Sequence, residues 1–220
     1  MAEFSRDPIS IARLLLDLEN PRFPEIQPNQ PSAIQAMIQD QKEKLINLAE
    51  HITRHGVNPA IISIVMESDT DSNAYTVLDG NRRLAAIKLL MNPSLGKEVF
   101  SQQQIRRLQS LATQYIENPI NGLRCVIVKD RDEADIWIPL IHRGQREGAG
   151  QVSWDGQVAA RYDARRGKRS FALQVLDFVQ ENASLSEEAM SRIEAGKFPI
   201  TNLERSPPDR HMRKIGGSFS

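Results

Sequence analysis

The chain has 220 residues, of which 40% are apolar, and its 28 basic residues balance 28 acidic ones. That length predicts one domain or two small ones with a packed core, and the zero net charge argues against a globally basic nucleic-acid binder. No apolar run reaches the roughly twenty residues that span a bilayer, and a single cysteine excludes an internal disulfide framework. We therefore expect a soluble, cytoplasmic protein.

The first third of the chain alternates apolar and proline-rich segments. The apolar stretch that begins at Ile9 breaks at Asn20-Pro21, and residues 24–35, rich in proline and glutamine, are predicted to form a loop. From Gln41 to His55 the apolar residues recur at helical spacing. Gly56 follows as the expected helix stop, because glycine tolerates the positive φ found there.

Two strands and a helix are predicted next. Residues 59–66 and 75–78 are short runs rich in β-branched residues, and the polar segment 67–74 between them is predicted to be a turn or hairpin loop. The helix predicted from about Gly80 to Leu90 follows the second strand directly.

The middle of the chain adds two helices and a strand. Residues 101–116 have helical spacing, and residues 122–129 read as a strand in which Cys125 is expected to be a buried structural thiol. Residues 130–145 begin with acidic side chains, as the amino-terminal end of a helix prefers. Its apolar residues predict one buried face, formed by Ala134, Ile138 and Ile141.

After a glycine-containing break at 146–151, three helices are predicted in succession, and no strand is predicted after Lys129. We therefore predict an α+β fold: a small mixed α/β domain followed by a helical subdomain. The predicted division is residues 1–150 for the first domain, 151–205 for the helical subdomain and 206–220 for a flexible basic tail.

The strongest functional signal is the segment TVLDGNRRLAAIKLL at residues 76–90. A strand-to-helix junction presents unpaired backbone N–H groups and the positive end of the helix dipole, and Gly80 lets a ligand approach the backbone closely. Arg82 and Arg83 add guanidinium forks that suit phosphate oxygens. The alternative is a solvated helix start in which the arginines pair with Asp79, and the pattern alone does not decide between the two.

Two further clusters contain candidate site residues. Arg22 follows the turn-forming Asn-Pro in LENPRF, and Arg143 and Arg146 flank a glycine in HRGQREGAG, where His142 is a candidate general base or metal ligand. The simpler explanation of each is a surface cation, at a loop or at the end of a helix. No zinc-spaced Cys/His set, Walker A loop, dinucleotide fingerprint or nucleophile elbow is present.

In their order, these clusters resemble the N-terminal domain of the ParB family, within the ParB/sulfiredoxin-like superfamily. That family places an NPR segment before a helix ending in HG, a GERRxRA box after a strand, and an ENxQRE box after a later helix. The resemblance covers Ile9 to Glu147. The residues on the GERRxRA positions are Gly80, Asn81, Arg82, Arg83 and Ala86. Those on the ENxQRE positions are His142, Arg143, Gln145, Arg146 and Glu147.

The resemblance implies a nucleotide-binding pocket, because in ParB proteins these boxes hold the triphosphate of CTP with Mg²⁺, and the nucleotide state closes a DNA clamp. Relatives bind ATP, and some are described as nucleases. Here Asn81 replaces the family glutamate, His142 and Arg143 replace the acid and amide that assist metal binding, and the metal ligands stay unknown. The implied nucleotide-binding residues are Arg22, Gly80, Asn81, Arg82, Arg83, Ala86, Arg143, Gln145 and Arg146, and the candidate catalytic residues are Asp79 and His142.

We therefore expect a domain that binds CTP or ATP, with Mg²⁺, and acts on or with DNA; NTP hydrolysis is favoured over nuclease activity. The alternatives are a metal-dependent DNA nuclease of the same fold and a non-catalytic adaptor for DNA or protein. No membrane partner is expected, and a homodimer is left open. ParB proteins continue into a helix-turn-helix, and the helices after Ser153 occupy that place, although a helical subdomain that serves only packing fits equally well.

Overall fold

The computed structural model describes residues 3–5, 7–144, 149–151, 153, 156–167, 171–182 and 185–194. Its contacts divide the chain into two compact units, Met1–Arg143 and Gly144–Ser220. Within the described residues, no helix is both long enough and apolar enough to cross a membrane. The three-part division that the sequence suggests stays a prediction.

The first unit is built around a mixed five-stranded sheet with the order β1-β7-β4-β5-β3. Two of its pairings are parallel, β3 with β5 and β4 with β7, and two are antiparallel, β4 with β5 and β1 with β7. A separate small sheet pairs β2 with β6. The strands are β1 (Glu3–Phe4), β2 (Ile9–Ser10), β3 (Leu14–Leu16), β4 (Ser63–Glu67), β5 (Tyr75–Asp79), β6 (Gly122–Leu123) and β7 (Cys125–Ile127).

The described residues of this unit form five α-helices, and these cover the sheet unequally. Four of them share one large core with one face of the sheet, whereas the last packs a small apolar cluster on the other face. Strand alternation explains the two cores, because Val65 and Val77 point to one face while Ile64 and Leu78 point to the other. The helices are α1 (Gln30–Gln41), α2 (Glu43–His55), α3 (Asn81–Met91), α4 (Gln102–Tyr115) and α5 (Arg131–His142).

The strand directions bring three distant segments to one edge of the sheet. Because β3 and β5 are parallel, the residues that follow Leu16 and Asp79 leave the sheet on the same side. Because β4 runs antiparallel to β5, its first residue, Ser63, begins on that side as well. The α3 junction, the loop after β3 and the start of β4 are therefore neighbours.

The α+β class is confirmed, but the loop predicted at residues 24–35 is wrong in its second half, because α1 begins at Gln30. Asn29 caps this helix, accepting a hydrogen bond from the Ser32 backbone N–H over 2.9 Å. Pro31 is tolerated because the first turn of a helix needs no N–H from that residue. The proline-rich segment thus contains the capped start of α1.

Smaller corrections concern where elements begin and end. The strand predicted over 122–129 is divided into β6 and β7, which belong to different sheets. The strand predicted from residue 59 begins only at Ser63, and α2 begins at Glu43 because Lys42 has a φ of 46° that separates it from α1. The predicted stop at Gly56 is confirmed by its φ of 74°.

The predicted apolar face of α5 is only partly correct. Ala134 is buried and Ile138 is half-buried, but Ile141 is 43% exposed, because the small cluster that α5 covers ends before the last turn. The acidic start is confirmed in detail: Asp130 is the N-cap and accepts a hydrogen bond from the Glu133 backbone N–H over 2.9 Å.

The second unit contains the three helices that the sequence predicts, α6 (Gly156–Ala164), α7 (Phe171–Asn182) and α8 (Glu187–Glu194). Glu187 and Glu188 lie in the first turn of α8, where carboxylates complement the helix dipole. No strand occurs after Ile127 in the described part of the chain, as predicted. The predicted tail at 206–220 lies outside the described residues.

Candidate functional site

Gly80 connects β5 to α3, and two independent constraints require glycine there. Its φ is 108°, a left-handed conformation that L side chains rarely adopt, and a Cβ atom would lie 2.3 Å from the Ser63 Oγ. Among the residues that the structure describes, no side chain caps α3. The Arg83 backbone N–H bonds to the Gly80 carbonyl over 3.0 Å, and the positive end of the helix dipole is left for solvent or for an anion.

The two adjacent arginines have different environments. Arg83 is half-buried, and its Nη1 donates a hydrogen bond to the Ser63 Oγ over 3.0 Å. Burial lowers the pKa of the Arg83 guanidinium, while the nearby Asp79 carboxylate opposes that shift. An arginine nevertheless stays charged at neutral pH. Arg83 is thus a fixed positive charge held against the start of β4.

Arg82 differs from Arg83 in its hydrogen bonding. Its Nε atom is buried and has no hydrogen-bond partner among the described residues. A buried polar atom without a partner costs about 1–3 kcal/mol, so such an atom is a reason to look for a missing ligand. A phosphate oxygen placed over the start of α3 would give this guanidinium an acceptor.

Asp79 and His142, which the sequence singles out separately as catalytic candidates, are in direct contact. The His142 Nε2 lies 2.8 Å from the Asp79 Oδ1, although the residues are 63 positions apart. The Asp79 side chain is 15% exposed and the His142 side chain 48% exposed. The carboxylate orients the imidazole through one nitrogen and leaves the other nitrogen for another partner.

Asn81 is buried inside the junction. Its Oδ1 accepts a hydrogen bond from the Asp17 backbone N–H over 2.9 Å, and its Nδ2 donates to the Val77 carbonyl over 2.5 Å. The amide therefore ties the start of α3 to the ends of β3 and β5. Both polar ends of the Asn81 side chain are therefore occupied within the protein.

An ion pair between the buried Asp17 and the half-exposed Arg131 fixes the same region from the other side. The Asp17 side chain is 3% exposed, and its carboxylate accepts hydrogen bonds from the Arg131 Nη1 over 3.0 Å and Nη2 over 2.6 Å. This pairing raises the pKa of the Arg131 guanidinium, chiefly through those hydrogen bonds. It joins the first turn of α5 to the loop that carries Arg22.

The remaining predicted residues are spread over different environments. Arg22 is exposed in the loop after β3, on the sheet edge where α3 begins, and Arg143 is exposed at the carboxyl end of α5. Ala86 is completely buried, so its side chain packs in the core rather than facing a ligand. Gln145 and Arg146 lie outside the described residues.

Ser63, Asp17 and Arg131 shape the junction, but no motif in the sequence assigns them to the site. Each has a weak signal: Ser63 interrupts the apolar run at residues 60–66, Asp17 directly follows three leucines, and Arg131 stands among acids. Cys125, beside Ser63 in the β4–β7 pairing, is buried as predicted, and burial raises its pKa to about 11.

The described residues do not offer an evident Mg²⁺ site. In that part of the chain, no group of three or more His, Cys, Asp or Glu side chains is placed to hold a metal ion. Asp79, the acid nearest the junction, already contacts His142. The arrangement thus fits a phosphate better than it fits a metal ion.

One comparison with known protein families covers the region of this site. Residues 19–119 match the family model described as ParB N-terminal domain, a range that includes Arg22 and the whole α3 junction. A comparison with curated proteins found no match. Among solved structures, the chain is similar to the C-terminally truncated chromosome-partitioning protein ParB from Caulobacter crescentus complexed with CTP-gamma-S, with a TM-score of 0.43, 13% identity and 98% of each chain covered.

Proposed function

We propose, from the premise that residues 19–119 are a ParB N-terminal domain, that this chain binds the triphosphate of a nucleotide, CTP or ATP, over the start of α3. The observation that carries the proposal is the buried Arg82 Nε without a partner, beside a helix start that no described side chain caps. A bound phosphate would give both features a partner.

The local charge balance supports an anion, although the whole chain is neutral. Asp17 is paired with Arg131, and Asp79 contacts His142 and lies near Arg83. Arg82 and Arg22 have no acidic partner among the described residues, and both belong to the junction edge of the sheet. Two unpaired guanidinium groups at one edge, next to a helix amino terminus, favour a polyanion.

Titration calorimetry of the full chain with CTP, ATP and GTP, each with Mg²⁺, tests the proposal. We expect binding of CTP or ATP, and we expect Arg82→Ala to weaken it at least about tenfold, as loss of a charge-assisted contact of roughly 1.5–3 kcal/mol predicts. Arg106→Ala is the matched control, because Arg106 is exposed on α4. No heat from any nucleotide, with the protein folded, would contradict the proposal.

NTP hydrolysis is a second candidate function, and the Asp79–His142 contact favours it. In such a step the free imidazole nitrogen takes a proton from water, the water oxygen bonds to the γ-phosphorus, and the bridging P–O bond to the diphosphate breaks. Asp79, adjacent to Gly80, would orient the ring. His142→Gln should then abolish phosphate release and leave nucleotide affinity unchanged.

DNA is a further proposed partner. Formation of a homodimer is the other association to be tested. A gel-shift titration with and without nucleotide would measure DNA binding, and light scattering would measure the oligomeric state. Tight nucleotide binding without phosphate release would favour the adaptor function. Plasmid cleavage with Mg²⁺ or Mn²⁺ that is lost in Asp79→Ala would favour the nuclease.

A further inference from the structure

Two histidines on α2 form a pair in the first unit that the proposed nucleotide site does not use. His51 and His55 are one helical turn apart, and their ring centroids are 4.9 Å apart with the ring planes tilted by 52°. Both residues are exposed. In the described part of the chain, each ring contacts the other and neither makes a hydrogen bond or an ion pair with another side chain.

The helix that carries the pair is firmly placed. Its inner face contributes Leu45, Ile46 and Ala49 to the main core, all completely buried. Side chains four positions apart lie on the same face of a helix, so the two imidazoles project together from a rigid support. Such an arrangement reduces the conformational cost of bringing both rings to one ligand.

We propose that His51 and His55 form a surface binding site for a divalent transition-metal ion of the Zn²⁺, Ni²⁺ or Cu²⁺ class. Neutral imidazole is a preferred ligand of these ions, whereas Mg²⁺ and Ca²⁺ prefer oxygen. Two histidines at positions i and i+4 are also the spacing by which helical H-x-x-x-H segments ligate zinc.

The site supplies two protein ligands and leaves the other positions open. The described residues contain no group of three or more His, Cys, Asp or Glu side chains for a metal ion, so water completes the coordination sphere. In zinc proteases with this spacing, the residue after the first histidine is a glutamate that acts as the general base. Here that residue is Ile52, which is 3% exposed, so the site binds a metal without that hydrolytic chemistry.

The charges around the pair do not oppose a cation. Arg54, the nearest positive side chain in sequence, is ion-paired with Glu50, which also pairs with Arg107 of α4. His55 is the last residue of α2, where the negative end of the helix dipole favours a positive charge. The metal ion would therefore sit beside a carboxyl-terminal helix end.

Calorimetric titration of the full chain with ZnCl₂, NiCl₂ and MgCl₂ is the test, with the variants His51→Ala, His55→Ala and the double variant. We expect one Zn²⁺ or Ni²⁺ per chain, no Mg²⁺ binding, and a loss of affinity of about tenfold or more in each single variant. His211→Ala is the control, since His211 lies outside the described residues, and it should bind as the unchanged protein does.

Urea unfolding without metal checks that the variants fold, and exposed histidines predict changes within about 0.5 kcal/mol. The proposal fails if the unchanged protein gives no heat with either ion, if the double variant keeps its affinity, or if His211→Ala loses it. A thermal shift provides an independent readout, because a ligand of the folded state raises the melting temperature only where the site is intact.

Discussion

The α3 junction has a closed half and an open half, and they differ in whether their polar groups have partners. In the closed half, Asn81 bonds to β3 and β5, and Asp17 forms a bidentate pair with Arg131. In the open half, the described residues supply neither a side-chain cap for the helix start nor a partner for the buried Arg82 Nε. Neighbouring residues of one sequence motif can therefore differ in role: Asn81 is bonded within the junction, and Arg82 presents the unpaired guanidinium of the proposed phosphate site.

The largest expected loss of stability comes from replacing Arg131, which belongs to the closed half. Arg131→Ala leaves the Asp17 carboxylate buried without its counter-ion, and we expect the free energy of unfolding to fall by about 3 kcal/mol. Urea denaturation measures this change. Lys129→Ala is the control, because Lys129 is exposed, and a loss no larger than in that control would show that the pair does not hold the junction.

Gly80→Ala should cause the next largest loss of stability. The residue has a left-handed backbone conformation, and the added Cβ would enter space that Ser63 already fills. We expect a loss of about 2 kcal/mol or more, together with weaker nucleotide binding. Gly56→Ala is the matched control: its φ is also positive, at 74°, but nothing lies within 4 Å of the place that its Cβ would take. Equal losses in the two variants would argue against the Ser63 contact.

The two adjacent arginines are expected to have different roles: Arg83 stabilises the fold, and Arg82 binds the nucleotide. Arg83→Ala removes the hydrogen bond to Ser63, and we expect a loss of about 1 kcal/mol in the free energy of unfolding. Arg82→Ala should not lower that free energy, because it removes a buried polar atom that has no partner among the described residues, while it should reduce nucleotide affinity. Paired urea and calorimetric titrations separate the two, and a larger stability loss in Arg82→Ala would reverse the assignment.

At neutral pH the smallest expected effect is that of the Cys125 thiol pKa, because it changes stability only at alkaline pH. Burial raises the thiol pKa from 9.0 to about 11, so the unfolded chain loses this proton at a lower pH than the folded chain does. The thiol therefore contributes stability that is fully present below pH 9 and is lost as the pH rises toward about 11. Unfolding titrations of the unchanged protein and of Cys125→Ala, which should lack this contribution, measure the difference. A thiol reagent that labels the native protein rapidly at about pH 8, below the ordinary thiol pKa, would contradict the burial.

The sequence predicted the strand, glycine and helix of the junction correctly, because alternating and helical periodicities depend on neighbouring residues. It did not predict that Asn81 points inward, because that follows from the parallel pairing of β3 with β5, which joins residues far apart in the chain. For the same reason, the contact between Asp79 and His142 could not be predicted from either segment alone.

The missed elements have local causes. Residues 24–35 contain the prolines and glutamines typical of loops, yet Asn29 and Pro31 are also what a helix start accepts, and composition does not distinguish the two. Ala86 matched a family position and is completely buried, which shows that a motif position can serve packing alone. Distinguishing these cases requires knowledge of burial, which a single sequence does not provide.

The most direct test of the account is the affinity of the unchanged protein and of Arg82→Ala for CTP and ATP, measured by calorimetry with stability measured in parallel. We predict that the unchanged protein binds one of these nucleotides and that Arg82→Ala binds it at least about tenfold more weakly without a loss of stability. Equal affinity in the two proteins would contradict a phosphate site at the start of α3.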